Sequence, residues 1–113
     1  VELRCYESVA VYVPELDESQ LEEQVNLVRN ILESGGATLV DIEHWGKKRL
    51  AYEINRKREG QYVLFRFKAQ GSLIEELERN YKLNSNILRY LTVKIKDLEC
   101  QKTQESEKEE KEE

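Results

Sequence analysis

Residues that usually carry chemistry are scarce in this chain. Among 113 residues there is one histidine, His44, and there are two cysteines, Cys5 and Cys100. A lone imidazole beside Trp45, with no Cys or Ser motif to serve, is no base for nucleophilic catalysis. The cysteines lie near opposite ends of the chain without metal-ligand spacing, and both are expected to be reduced spectators in a cytosolic setting. Five glycines form no loop of the kind that cradles phosphates. No apolar run approaches the ~18 residues needed to cross a bilayer, and Glu7 interrupts the apolar stretch from Cys5 to Val13, unlike a signal-peptide core. The expectation is a cytoplasmic protein with no catalytic residues, no metal, no cofactor, no membrane attachment and no small-molecule substrate.

The length allows one two-layer core and leaves no room for a cofactor domain beside a substrate domain. Charge is abundant but uneven. The net of -5 argues at first against a nucleic-acid partner. Yet the last thirteen residues, QKTQESEKEEKEE, hold three Lys and six Glu, a net of -3, and no hydrophobic side chain. Such a segment buries too little surface to offset its ordering entropy. A domain over 1–98 followed by a disordered acidic tail over 99–113 is therefore expected. Residues 1–33 hold two basic and eight acidic side chains, a net of -6, whereas residues 44–68 hold eight basic and two acidic, a net of +6. One segment is a cation within an anionic molecule.

Leu3 to Val13 is rich in Val and Tyr and stops at Pro14, which marks a strand. Its parity is open, because Cys5, Val9 and Val11 compete with Tyr6, Ala10 and Tyr12 for the buried side. Asp17 with Gln20 forms a capping box, and Leu21, Val25, Val28 and Leu32 then recur at helical spacing up to Gly35-Gly36. Ala37 to Ile54 reads as a long strand with a bulge or bend at Gly46. Asn55 to Gly60 reads as a polar turn, and Gln61 to Lys68 as the returning strand of a hairpin. Ser72 with Glu75 suggests a second capping box for a helix burying Leu73, Leu77 and Tyr81. Ile87 to Ile95 is the last strand. This βαββαβ order predicts an α+β, ferredoxin-like sandwich: a four-stranded antiparallel sheet of order 4-1-3-2 with two helices on one face. Strand two would be an edge.

That second strand carries Lys47-Lys48-Arg49 at consecutive positions. Lysines on an edge strand discourage unwanted strand pairing, which is one explanation. The other is a phosphate clamp, in which cations on both sides of an exposed strand straddle a nucleic-acid backbone. Arg56-Lys57-Arg58 at the expected hairpin tip would be a solvated turn or would reach a groove or backbone remote from the sheet. Arg4, Arg66, Arg89 and Lys94 are strand cations, some of which should reach an exposed face or edge. Tyr6, Tyr12, Tyr62 and Tyr90 are candidates to stack on unpaired bases, although strand tyrosines more commonly pack.

The run GKKRLAYEIN, followed by Gly60 and QYVLFRF, closely resembles the family of the sixth protein of the bacterial small ribosomal subunit. Gly46, Lys48, Arg49, Leu50, Ala51, Tyr52 and Ile54 fill the family's signature, and the resemblance extends from Tyr6-Glu7 through LDESQL to RYLTVKI. It implies a structural ribosomal protein that binds the central domain of 16S ribosomal RNA. It also implies a heterodimer with the basic small-subunit protein eighteen during platform assembly. Under that reading Arg4, Lys47, Lys48, Arg49, Arg56, Lys57, Arg58, Arg89 and Lys94 are the candidate RNA contacts. The very basic 56–58 turn departs from members in which it is less charged.

An RNA-recognition motif outside the ribosome, binding single strands, has the same element order. Val11 to Leu16 imitates its first-strand element, but Arg58-Glu59-Gly60-Gln61 lacks the stacking aromatic and misplaces the glycine of the third. An acyl-phosphate hydrolase or metal handler on this fold would need a phosphate-accepting first loop or a CxxC pair. Pro14-Glu15-Leu16-Asp17 would repel a phosphate, and no CxxC is present.

Overall fold

The computed structural model describes residues 3–96. The expected acidic tail and the distal part of the expected 1–98 boundary lie outside the described residues. Six elements follow in the expected order: β1 (Arg4–Tyr12), α1 (Glu18–Ser34), β2 (Thr38–Ile54), β3 (Lys57–Ala69), α2 (Gly71–Leu83) and β4 (Ile87–Ile95). The strands form one antiparallel sheet of order β2-β3-β1-β4, which is the expected 4-1-3-2 read from the other edge. β2 is an edge, as the sequence implies.

Both helices cover the same face. Val25, Val28 and Leu32 of α1 and Leu73, Leu77 and Tyr81 of α2 form one buried cluster with Ala10, Tyr12, Val63, Phe65, Phe67 and Ala69. The open parity of β1 is settled by this cluster: Tyr6, Ser8, Ala10 and Tyr12 face the helices, and Cys5, Glu7, Val9 and Val11 face away. The strand alternates weakly because it is central, so that Val11 on the far side is as buried as Ala10 on the near side. Cys5 is buried and disulfide-bonded, which overturns its expected reduced state. The expectation rested on a cytosolic setting and on the lack of metal-ligand spacing; Cys100 lies outside the described residues.

Among the helix-facing polar groups, Ser8 Oγ lies 2.7 Å from Tyr81 Oη and 2.9 Å from Thr92 Oγ1, which links β1, α2 and β4 through the core. Burial pushes the Tyr12 and Tyr81 hydroxyls well above the ordinary phenol range, so both stay neutral.

α1 begins with the capping box read from the sequence. The Gln20 amide donates to Asp17 Oδ1 at 2.8 Å, and the Asp17 amide donates to Gln20 Oε1 at 3.0 Å. Asp17→Ala is expected to cost about 1 kcal/mol, measured as a lower urea midpoint with an unchanged slope. α2 corrects the expectation: Gln70, not Ser72, is its N-cap, and no side chain caps it. Ser72 already lies inside the first turn, one residue past Gly71, where its hydroxyl is out of position for the end amides.

The hairpin is tighter than the six-residue turn expected. Asn55 and Arg56 alone reverse the chain, with φ of 49° and 65°, and Ile54 pairs directly with Lys57. Two consecutive left-handed residues match the twist of the flanking strands, so β3 starts at Lys57 rather than Gln61.

Candidate nucleic-acid interface

β2 and β3 are 17 and 13 residues long, against nine for β1 and for β4. The β1 register on β3 ends at Tyr12↔Gln61. Lys57 to Gly60 therefore has only β2 beside it, and residues 48–60 form a two-stranded arm beyond the sheet. Gly60 sits where the arm leaves the body. A Cβ there would lie 2.4 Å from Val11 Cγ1 and 3.5 Å from Leu50 Cδ2, so glycine lets Val11 and Leu50 close over the strand. Gly46 adopts φ 81° at a register shift between His44 and Gly46, which is the bulge of the bulge-or-bend expected there.

Along the edge and arm, Lys47, Lys48, Arg49, Arg56 and Arg58 are exposed. Lys48 Nζ lies 5.2 Å from the centre of the Trp45 ring, which in turn stacks on Tyr62 at 6.5 Å. The three cations expected at the tip divide. Arg56 occupies the turn itself. Lys57 Nζ donates to Glu15 Oε2 at 2.6 Å, tying the arm to the β1–α1 loop and holding the Glu15 carboxyl below its usual range. Arg58 Nε stands 3.5 Å from Glu53 Oε2 across the arm. The Gln61 side chain donates to the carbonyls of Val13 and Leu16 and fixes that same loop.

Arg89 is exposed on β4 in the cross-strand row of Val11, Tyr62 and Gly46, so it lies level with the root of the arm. Arg4 and Lys94 sit elsewhere. Lys94 pairs with Tyr6 and Arg4 with Ala69, six or more residues along the strands from Tyr12, or about 20 Å at the rise of an extended chain. The structure does not bring them together with the arm.

Arg66 is no exposed cation. It is 5% exposed at the centre of the sheet face away from the helices. Its Nε donates to Glu7 Oε2 at 3.0 Å and its Nη2 joins the same oxygen, while Nη1 reaches Asp41 Oδ2 at 3.3 Å and Glu43 Oε2 at 3.2 Å. Burial alone would lower its pKa, but the hydrogen bonds it donates to Glu7 and Glu43, with their negative charge, outweigh that and raise it. The Trp45 indole donates to Glu43 Oε1 at 2.9 Å; this bond first, with Arg66, holds the Glu43 carboxyl below its usual range. One guanidinium against three carboxylates leaves two negative charges. Around them lie exposed Leu91 and Val93. The open face is thus apolar with an anionic centre, and the arm is cationic. Sequence reasoning missed this cluster because Glu7, Asp41, Glu43 and Arg66 meet only through the strand register.

Of the tyrosines considered for base stacking, Tyr6 stacks on Phe67 and Tyr90 tilts against Tyr81, and both, with buried Tyr12, pack on the helix side. Tyr62 lies under Trp45 on the open face.

The chain is similar to proteins of known kind. The sequence model of the family described as Ribosomal protein S6 matches residues 5–94. The chain is 42% identical over 95 residues to the "Small ribosomal subunit protein bS6" of Natranaerobius thermophilus, covering 84% of this chain and 99% of that protein. It is 40% identical over 94 residues to the protein of the same name from Thermosynechococcus vestitus, covering 83% and 82%. The crystal structure of 30S ribosomal protein S6 from Thermotoga maritima superposes with a TM-score of 0.81 at 30% identity, over 93% of this chain and 99% of that one. The chain belongs to the Ribosomal protein S6 family, whose members are structural proteins of the small ribosomal subunit and not enzymes.

Proposed function

We propose that this chain binds the central domain of 16S ribosomal RNA as a heterodimer with small-subunit protein eighteen, with the two partners on different surfaces. The observation that carries the reading is the separation of charge: Lys47, Lys48, Arg49 and Arg56 are exposed on the arm and edge, while the open sheet face centres on three carboxylates around one arginine. Phosphates are drawn to the first surface and repelled from the second. A basic protein with an apolar side fits the second, where Leu91 and Val93 offer area and the Glu7, Asp41 and Glu43 carboxylates offer complementarity. Arg89 is included among the RNA contacts because it lies level with the arm root along the strands, although β4 is the sheet edge opposite β2. As a ribosomal protein the chain works in the bacterial cytoplasm.

Replacing Lys47, Lys48 and Arg49 together by Ala is expected to weaken binding of the pair to small-subunit ribosomal RNA by at least about tenfold. The slope of log K against log salt should flatten by about two, as the contacted phosphates keep their counterions. The fold is expected to be untouched, with stability within about 0.5 kcal/mol, because these cations are exposed. Titrations at two salt concentrations check both quantities, and an unchanged slope would remove the clamp.

A further inference from the structure

β2 loses register on the arm. Arg49 pairs with Glu59 and Ile54 with Lys57, so Leu50 to Glu53, four residues, stand opposite the single Arg58. Leu50 is held at the corner by Gly60 and stays 8% exposed. Ala51, Tyr52 and Glu53 leave the ladder, and Tyr52 is 63% exposed. Alternation along the strand would place Leu50 and Tyr52 on the same side; the bulge separates their fates. Among the described residues the Tyr52 ring meets no other ring and no cation. The Trp45 ring, by contrast, has Tyr62 against it and Lys48 over it. Arg49 and Arg56, either side of Tyr52 in sequence, are exposed without an ion pair among the described residues.

An aromatic ring displayed by a bulge on a cationic arm has both parts of a single-strand RNA contact: charge that holds the backbone and a flat apolar face that accepts a base. We propose that Tyr52 is a stacking site for an unpaired nucleobase of the RNA held by the arm. This rests on the RNA reading above and adds the chemical nature of one contact within it. Stacking depends on the ring and not on charge, so its loss lowers affinity without changing the number of counterions released.

The full chain, paired with small-subunit protein eighteen, is titrated with small-subunit ribosomal RNA as Tyr52→Leu and Tyr52→Phe variants beside the Lys47, Lys48 and Arg49 triple-alanine variant. Tyr52→Leu is expected to bind about five- to a hundredfold more weakly with the salt slope unchanged, and Tyr52→Phe within about twofold of the parent. Affinity for the protein partner without RNA should be the same in all Tyr52 variants. If the triple variant loses affinity and slope while Tyr52→Leu binds like the parent, the RNA reading stands and the stacking site does not. Equal losses for Phe and Leu would assign the effect to the hydroxyl and overturn stacking. A loss of partner affinity in Tyr52→Leu without RNA would place the ring against protein and also overturn it. If the triple variant binds RNA unchanged, the RNA reading itself falls.

Discussion

Phe65→Ala is expected to lower the unfolding free energy by about 3–5 kcal/mol, the range for emptying a fully buried aromatic site. Phe65 is wholly buried in β3, a central strand, with Ser8 of β1 opposite it on one side and Ile42 of β2 on the other. Both helices and the sheet meet in the cluster to which it belongs. A strand pinned by neighbours on both edges moves little to fill a void, so the cavity term adds to the lost transfer free energy. Marginal domains carry about 5–15 kcal/mol in all. Urea denaturation should show a large fall in midpoint at a nearly constant slope, and a loss below about 1 kcal/mol would mean that the core is not packed as described.

The next residue on the strand points the other way and obeys different physics. Arg66→Ala is expected to cost about 2–3 kcal/mol at neutral pH. Breaking a buried ion pair from one side typically costs about 3–5 kcal/mol, and the value is discounted here because the Glu7, Asp41 and Glu43 side chains keep 28%, 22% and 26% of their exposure. The damage is the three carboxylates left facing one another. Acid should therefore shrink it. The folded Glu43 carboxyl lies below its ordinary value of 4.5, so its contribution is fully present above that pH and is lost as pH falls through the folded value. The parent loses stability over that range, while protonation relieves repulsion in the variant, and the gap between them should narrow below about pH 4.5. A gap that stays constant from pH 7 to 3 would show that lost packing, not charge, explains the effect.

Much of the fold was legible because its signals are local. The capping box at Asp17, the helical recurrence of Val25, Val28 and Leu32, and the turn residue at Asn55 each act within a few positions, and each stands where expected. The cationic segment was legible as well, since consecutive Lys47, Lys48 and Arg49 on an edge strand stay exposed however the rest folds. The errors share a cause. Ser72 has the residue type of a cap, but the cap depends on which residue begins the turn, and that is Gln70. Lys57 and Arg58 read as turn cations in the sequence, but two left-handed residues shorten the turn and hand both to acidic partners.

By itself the sequence determined the element order, the apolar faces of the two helices, the family signature and the location of the positive charge, because composition and short-range periodicity encode these; which side of β1 meets the helices was decided by packing. Tertiary structure alone decided which charges are available. Arg66, one cation among eight in its segment, is consumed by Glu7, Asp41 and Glu43. Tyr52, by its place in the alternation one more strand residue, is displayed to solvent by a lost register. Strand pairing brings together residues 59 and 25 positions apart, and no local pattern records a contact at that range.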